Sequence, residues 1–212
     1  MPRRPFAPLV TALLAAGCSM SAPVESPPAD RFVSIFDGTS LDGWVIENGG
    51  RFSARDGLLV LDQGTGWLRS VAEYGDFVLA LDFRFLEKEA NSGIFIRTAA
   101  TSKDDENGWP DNGYQVQCMD ILEGTHPLAT MIEYDAGDPG AESDLDAIRA
   151  AYRPTGEWNS YEIRCEGEEL AVKLNGVLVT TASSVKQLRG HVGIQGENGK
   201  LEFRDLRIRE LQ

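Results

Sequence analysis

The sequence predicts an all-β protein, an antiparallel β-sandwich with one short helix or loop insertion. Apolar and polar residues alternate with a period of two in several separate stretches. Gly-containing turns punctuate those stretches, and only Ala141 to Tyr152 has helix composition.

The clearest strand is Phe77 to Phe85 (FVLALDFRF), where Phe77, Leu79, Leu81, Phe83 and Phe85 share one face and Val78, Ala80, Asp82 and Arg84 the other. Side chains of a strand point alternately to its two sides, so the first set marks the core. The same period runs through Tyr114 to Asp120 (YQVQCMD), Tyr161 to Glu166 (YEIRCE), Leu170 to Leu174 and Leu201 to Ile208. Asn175-Gly176, between Leu174 and Val177, is a two-residue hairpin signal, because both positions must accept positive φ. Asp37-Gly38, Asp56-Gly57, Gly75-Asp76 and Glu166-Gly167 mark further turns.

The leading residues read as an export signal over 1–17: a basic pair (Arg3, Arg4), an apolar run from Leu9 to Ala16 too short to span a bilayer, and a small-residue junction ahead of Cys18. Cys18 is the expected site of lipidation, the alternative being an ordinary secretory signal cleaved nearby with Cys18 lost or unmodified. Residues 18–30, rich in Ser, Pro and Ala, are the expected tether, and 31–212 the domain. On this organisation the protein is expected in a bacterial cell envelope, held to the outer membrane by the N-terminal lipid only and facing the periplasm or the surface.

The formal charge is −13, and loss of Arg3 and Arg4 with the leader takes it to −15. A nucleic-acid partner is excluded on that ground. Cys118 and Cys165 both fall on apolar faces, where they could bridge two strands in an oxidising compartment or remain small buried thiols. Both readings stay open.

The outward positions decide what the sheet is for. Gln115 and Gln117, with Asp82 and Arg84, can donate and accept as sugar hydroxyls require, although a merely solvated sheet face would carry the same residue types.

The chain resembles the concanavalin A-like jelly-roll family named for 3-keto-glycoside lyase and hydrolase activity. The resemblance runs from about Phe32 to Leu211 and rests on FDGTSLDGW (from Phe36), YGDFVLALDFRF (from Tyr74), NSGIFIR (from Asn91), GYQVQCMD (from Gly113), GEWNSYEI (from Gly156), LNG (from Leu174), LRGHVGIQ (from Leu188) and LEFRDLRIREL (from Leu201). It implies a concave sheet binding a glycoside already oxidised to a ketone at carbon 3, and cleavage by elimination. The ketone acidifies the hydrogen on carbon 2, a base removes it, and the enolate expels the substituent on carbon 1. No redox cofactor is implied.

On this resemblance Asp120 is the expected base and Arg97 the expected partner of the enolate oxygen. Gln115, Gln117, Asp82, Arg84, Trp109, His126, His191 and Gln195 are the expected substrate contacts. Trp44 and Trp158 lie in family motifs and read as packing anchors. Trp67 and Trp109 have Gly-rich or polar surroundings and read as a sugar-stacking rim. The loop around Trp109 carries Asp104, Asp105, Glu106 and Asp111, compatible with a divalent cation such as calcium or with a solvated acidic loop. The family commonly has Glu where Gln115 stands. Glutamine cannot be a base, so a non-catalytic carbohydrate-binding envelope lipoprotein is the alternative reading. A structural or partner-binding envelope lipoprotein is a third.

Overall fold

The computed structural model describes residues 31–212, so Cys18 and the expected signal and tether lie outside the described residues. Along the chain the strands are β1 (Val33–Ser34), β2 (Trp44–Asn48), β3 (Arg51–Arg55), β4 (Leu58–Gln63), β5 (Gly66–Tyr74), β6 (Phe77–Phe85), β7 (Asn91–Thr98), β8 (Gly113–Met119), β9 (Met131–Tyr134) and β10 (Glu142–Ser143). A short helix, α1 (Leu145–Ala151), precedes β11 (Asn159–Glu166), β12 (Glu169–Leu174), β13 (Val177–Ala182), β14 (Gly190–Gly196) and β15 (Leu201–Glu210).

These strands make two antiparallel sheets. The nine-stranded sheet has the order β10-β13-β12-β11-β6-β15-β4-β3, with β1 also paired to β15. The six-stranded sheet has the order β2-β5-β14-β7-β8-β9. The inner faces meet in one apolar layer. Phe77, Leu79, Leu81, Phe83 and Phe85 of β6 face it with Tyr161, Ile163 and Cys165 of β11, opposite Ile94, Ile96, Tyr114, Val116 and Cys118. Each large side chain so buried contributes about 1.5–3 kcal/mol, so the alternation seen in the sequence is what holds the layers together. Among the bonds that cross the layer, Tyr161 Oη donates to the Gln117 carbonyl at 2.7 Å.

The Asn-Gly turn behaves as expected. Leu174 pairs with Val177, and Asn175 and Gly176 take φ of 50° and 84°, the mirror-image turn that fits strand twist. The helix is shorter than its composition indicated, because Asp144 caps it by accepting from the Asp146 and Ala147 amides, while Glu142 and Ser143 pair with β13. Both cysteines are free and buried, on facing strands of different sheets. Burial pushes the Cys165 thiol up to about 12, with the Arg97 charge opposing and the Asp76 charge adding, and lifts Cys118 well above its ordinary range.

Candidate functional site

Strand alternation places Gln115 and Gln117 of β8 outward while Val116 and Cys118 enter the core, as expected. The outward face of the six-stranded sheet also carries Trp67 of β5, Gln195 of β14, Phe95 of β7 and Tyr134 of β9. Trp67, Phe95 and Tyr134 form an aromatic cluster separate from the core, with Trp109 and Ile132 packed on it. Phe95 meets Trp67 and Tyr134 edge-on, at 5.4 and 5.6 Å between ring centroids. The tryptophan lies low because Gly193 is beneath it. A β-carbon there would come within 2.8 Å of Trp67 Cε3 and 2.7 Å of the Leu68 carbonyl.

The amides are hydrogen-bonded in one direction. Tyr134 Oη donates to Gln115 Oε1 at 2.7 Å, and Gln115 Nε2 donates to Gln117 Oε1 at 2.8 Å and Gln195 Oε1 at 3.2 Å. Gln115 is thereby saturated as a donor. Gln117 Nε2 is left with only the Met119 thioether at 3.9 Å, and Gln195 Nε2 makes no hydrogen bond among the described residues. The three side chains are 1%, 4% and 2% exposed in the order Gln115, Gln117, Gln195, which makes this a built polar network and not a wetted surface.

At the end of β14, Glu197 follows Gln195 by two positions. Burial raises its carboxyl above the ordinary carboxylate range, and a hydrogen bond from Asn91 partly offsets the rise. The Tyr134 phenol is raised too, by burial first and by the Glu197 charge second. Reciprocal backbone bonds between Asn91 and Asn198, at 2.7 and 3.2 Å, pin the turn that carries Glu197 to the start of β7. Neither Glu197 nor Tyr134 was among the residues expected from sequence. The spacing from Gln195 to Glu197 was a usable signal, whereas Tyr134 reaches Gln115 only because β8 pairs with β9.

The segment between β7 and β8 folds over the cluster. Trp109 Nε1 donates to the Gly196 carbonyl at 3.2 Å, its ring stands edge-on to Tyr134, and Asn48 Nδ2 donates to the Gly108 carbonyl at 2.5 Å. Trp109 is partly exposed, as a rim residue should be, but Trp67 is fully buried and is the floor. Asp105 spends a carboxylate oxygen on the Asn107 and Gly108 amides of its own loop. No group of three or more His, Cys, Asp or Glu side chains among the described residues is arranged to hold a metal ion.

Several expected contacts lie elsewhere. Asp82 and Arg84 sit on the outward face of the other sheet, paired with Arg204 (3.0 Å) and Glu202 (2.6 Å). Trp158, expected as a packing anchor, is half-buried on that same face between the Arg84 and Arg204 guanidinium groups. Trp44 does anchor the core, its indole donating to the Ile35 carbonyl at 2.7 Å.

Asp120 is not beside the glutamines. It continues the inward set of Tyr114, Val116 and Cys118, and at the end of the sandwich accepts from Tyr152 Oη, from Thr155 Oγ1 at 2.6 Å and from the Glu89 amide at 3.2 Å. Arg97 also turns inward. Ile96 and Arg97 together stand opposite Val192, a bulge that, with φ of +50° at Arg97, sends both side chains into the sandwich. The guanidinium is fully buried, donating to the Gly75 and Gly167 carbonyls (3.0 and 2.7 Å) and pairing with Asp76 at 2.9 Å. His126 is exposed in its loop. His191 is buried towards the opposite end of β14 from Gln195, its Nδ1 3.2 Å from the Ala72 carbonyl and its Nε2 3.6 Å from Glu73.

Two stacked antiparallel sheets with an amide and aromatic network on one outward face make this a jelly-roll β-sandwich. Residues 31–209 match the family described as the 3-keto-alpha-glucoside-1,2-lyase-like domain, and the chain belongs to that family. It is 28% identical over 164 residues to a 3-keto-disaccharide hydrolase of Bacteroides thetaiotaomicron, an alignment covering 68% of this chain and 55% of that protein. The chain thus spans about half the length of this curated relative. Among solved structures, a candidate glycosyl hydrolase from Parabacteroides distasonis matches with a TM-score of 0.63 at 18% identity, over 85% of this chain and 94% of that one. A carbohydrate-binding module from Bacillus subtilis matches at 0.57 and 16% identity, over 79% of this chain and 96% of that one. These structural likenesses are likenesses of fold.

Proposed function

We propose that the outward face of the six-stranded sheet binds a 3-keto-glycoside and cleaves it by elimination at carbons 1 and 2. Family membership and the name of the Bacteroides relative support the substrate class. The observation that carries the reading is the one-way hydrogen-bond chain from Tyr134 through Gln115, which leaves the amide nitrogens of Gln117 and Gln195 as donors for a ligand. Beside them, the partly exposed ring of Trp109 offers an apolar surface for a sugar ring. Donors preset in a water-poor site favour the enolate more than the ketone, because charge develops on that oxygen. Elimination then yields an enone, to which water adds to give the free keto sugar.

A second reading, a non-catalytic carbohydrate-binding protein, is favoured by one observation. Gln115 cannot ionise and is held by its neighbours on every side. Incubating the protein with a 3-keto-glucoside and with its unoxidised parent, with and without a chelator, separates the two. Release of enone or keto sugar from the oxidised substrate alone supports elimination, and binding without release supports the second reading.

We further propose envelope attachment through a lipid on Cys18. Cys18→Ser should move the protein from the membrane to the soluble fraction or leave an unprocessed precursor, and unchanged partitioning would sink the idea.

A further inference from the structure

We propose that Glu197 is the general base of this site, with the amide groups of Gln117 and Gln195 receiving the enolate oxygen. The assignment rests on reading the face as a 3-keto-glycoside site and names the groups that would perform the reaction.

The geometry of β14 comes first. Gln195 points outward among the amides, and Glu197, two residues further at the strand end, stands at the edge of the same network. Tyr134 registers its charge and Asn91 donates to it. By register the carboxylate lies on the open donors' side of the chain: Asn198 bridges Asn91, and Gln117 stands opposite Gly93, two residues along β7. Base and oxyanion donors are thus set on one face by neighbouring strands, as proton abstraction next to a ketone demands.

The competing groups are occupied. Asp120 faces away and accepts three hydrogen bonds. Glu47, a second carboxylate on this face, is held by Arg69 Nε and Nη2 at 3.0 and 2.8 Å. Gln115 has no ionisable group. Glu197 has no cationic partner among the described residues, and burial weakens its hold on charge, which strengthens it as a base. Asn91 Oδ1, next to it, is buried without a hydrogen-bond partner, an acceptor that a sugar hydroxyl would satisfy.

In the step proposed, the bond between carbon 2 and hydrogen breaks. The proton passes to the Glu197 carboxylate, and the electron pair becomes the enolate centred on the carbon 3 oxygen. The enolate then reforms the ketone with a double bond between carbons 1 and 2. The bond from carbon 1 to its oxygen substituent breaks, and the leaving oxygen takes the proton from Glu197. No oxidant or reductant enters.

The test compares wild type, Glu197→Gln and Glu197→Asp in two assays. One is turnover of a 3-keto-glucoside; the other is solvent deuterium exchange at carbon 2 of a 3-keto C-glycoside, which binds but has no leaving group. Glu197→Gln should lose roughly 10²–10⁴-fold in both, the usual worth of a positioned base, with binding of the C-glycoside retained and part of the rate recovered in Glu197→Asp. If Glu197→Gln exchanges and turns over at the wild-type rate, Glu197 is not the base and the elimination reading stands. If wild type binds the C-glycoside yet neither exchanges nor cleaves, both fall together.

Discussion

Gln115 lies across Gly93 so closely that a β-carbon on that glycine would overlap the glutamine's amide nitrogen, Cδ and Cγ. The atoms in the way belong to a flexible side chain, so Gly93→Ala should fold. The displaced glutamine would lose its bonds to Tyr134 and its two amide neighbours. At about 1 kcal/mol for each neutral hydrogen bond, affinity for a 3-keto sugar should fall by roughly an order of magnitude or more. Calorimetric titration of the folded variant checks this, and undiminished affinity would show that the chain of amides is not the binding surface.

Glu197 should cost stability where it serves catalysis. Its folded-state carboxyl is raised above the ordinary 4.5. Below that value the group is protonated in both states and indifferent. As pH rises from there through the raised value, the unfolded chain ionises first, so folding loses free energy, and the loss is complete above the folded-state value. Glu197→Gln should therefore have a higher denaturation midpoint than wild type at neutral pH. The advantage should vanish in acid. A variant destabilised at neutral pH would contradict the assignment.

Arg97 and Asp120 should behave as framework. Removing a buried cation that serves three carbonyls and a carboxylate costs about 3–5 kcal/mol, so Arg97→Ala should be severely destabilised. Asp120→Asn weakens bonds to Tyr152 and Thr155 and should cost about 1–3 kcal/mol. For the folded fraction of either variant, kcat/KM on a 3-keto substrate should stay near wild type. Selective loss of kcat in Asp120→Asn would restore that residue to the mechanism.

Trp109 and Trp67 should separate cleanly. Trp109→Ala removes a partly exposed ring and should lower sugar affinity by a few-fold to tenfold, in line with about 0.5–1.5 kcal/mol for an aromatic contact. Trp67→Ala empties the floor beneath Gln195 and should cost about 3–5 kcal/mol of stability, which thermal melts would show.

Much of this was legible along single strands. The split between Gln115/Gln117 and Val116/Cys118 needs only a period of two, and the Asn175-Gly176 turn needs only two adjacent residues. What failed depended on partners. Asp82 and Arg84 do face outward, but alternation gives a strand's face and not its sheet. From the sequence Arg97 is the expected partner of the enolate oxygen, which would put it on the binding side. Its inward turn comes from two residues of β7 opposing one of β14, a mismatch between segments about ninety residues apart that no local pattern reveals. The placement of Asp120 was legible too, since its parity with Val116 and Cys118 points it inward.

Arg97 also bears on the order in which the molecule comes apart. Its guanidinium reaches Gly75, Asp76, Gly167 and Gln187, groups brought together only when the two sheets have closed on each other. Contacts across such sequence distances carry loop-closure entropy and form late. The clamp should then be largely absent from the folding transition state, and its strength should appear as a slow unfolding rate with little effect on the rate of folding. That barrier to opening would govern how long each copy survives attack by proteases.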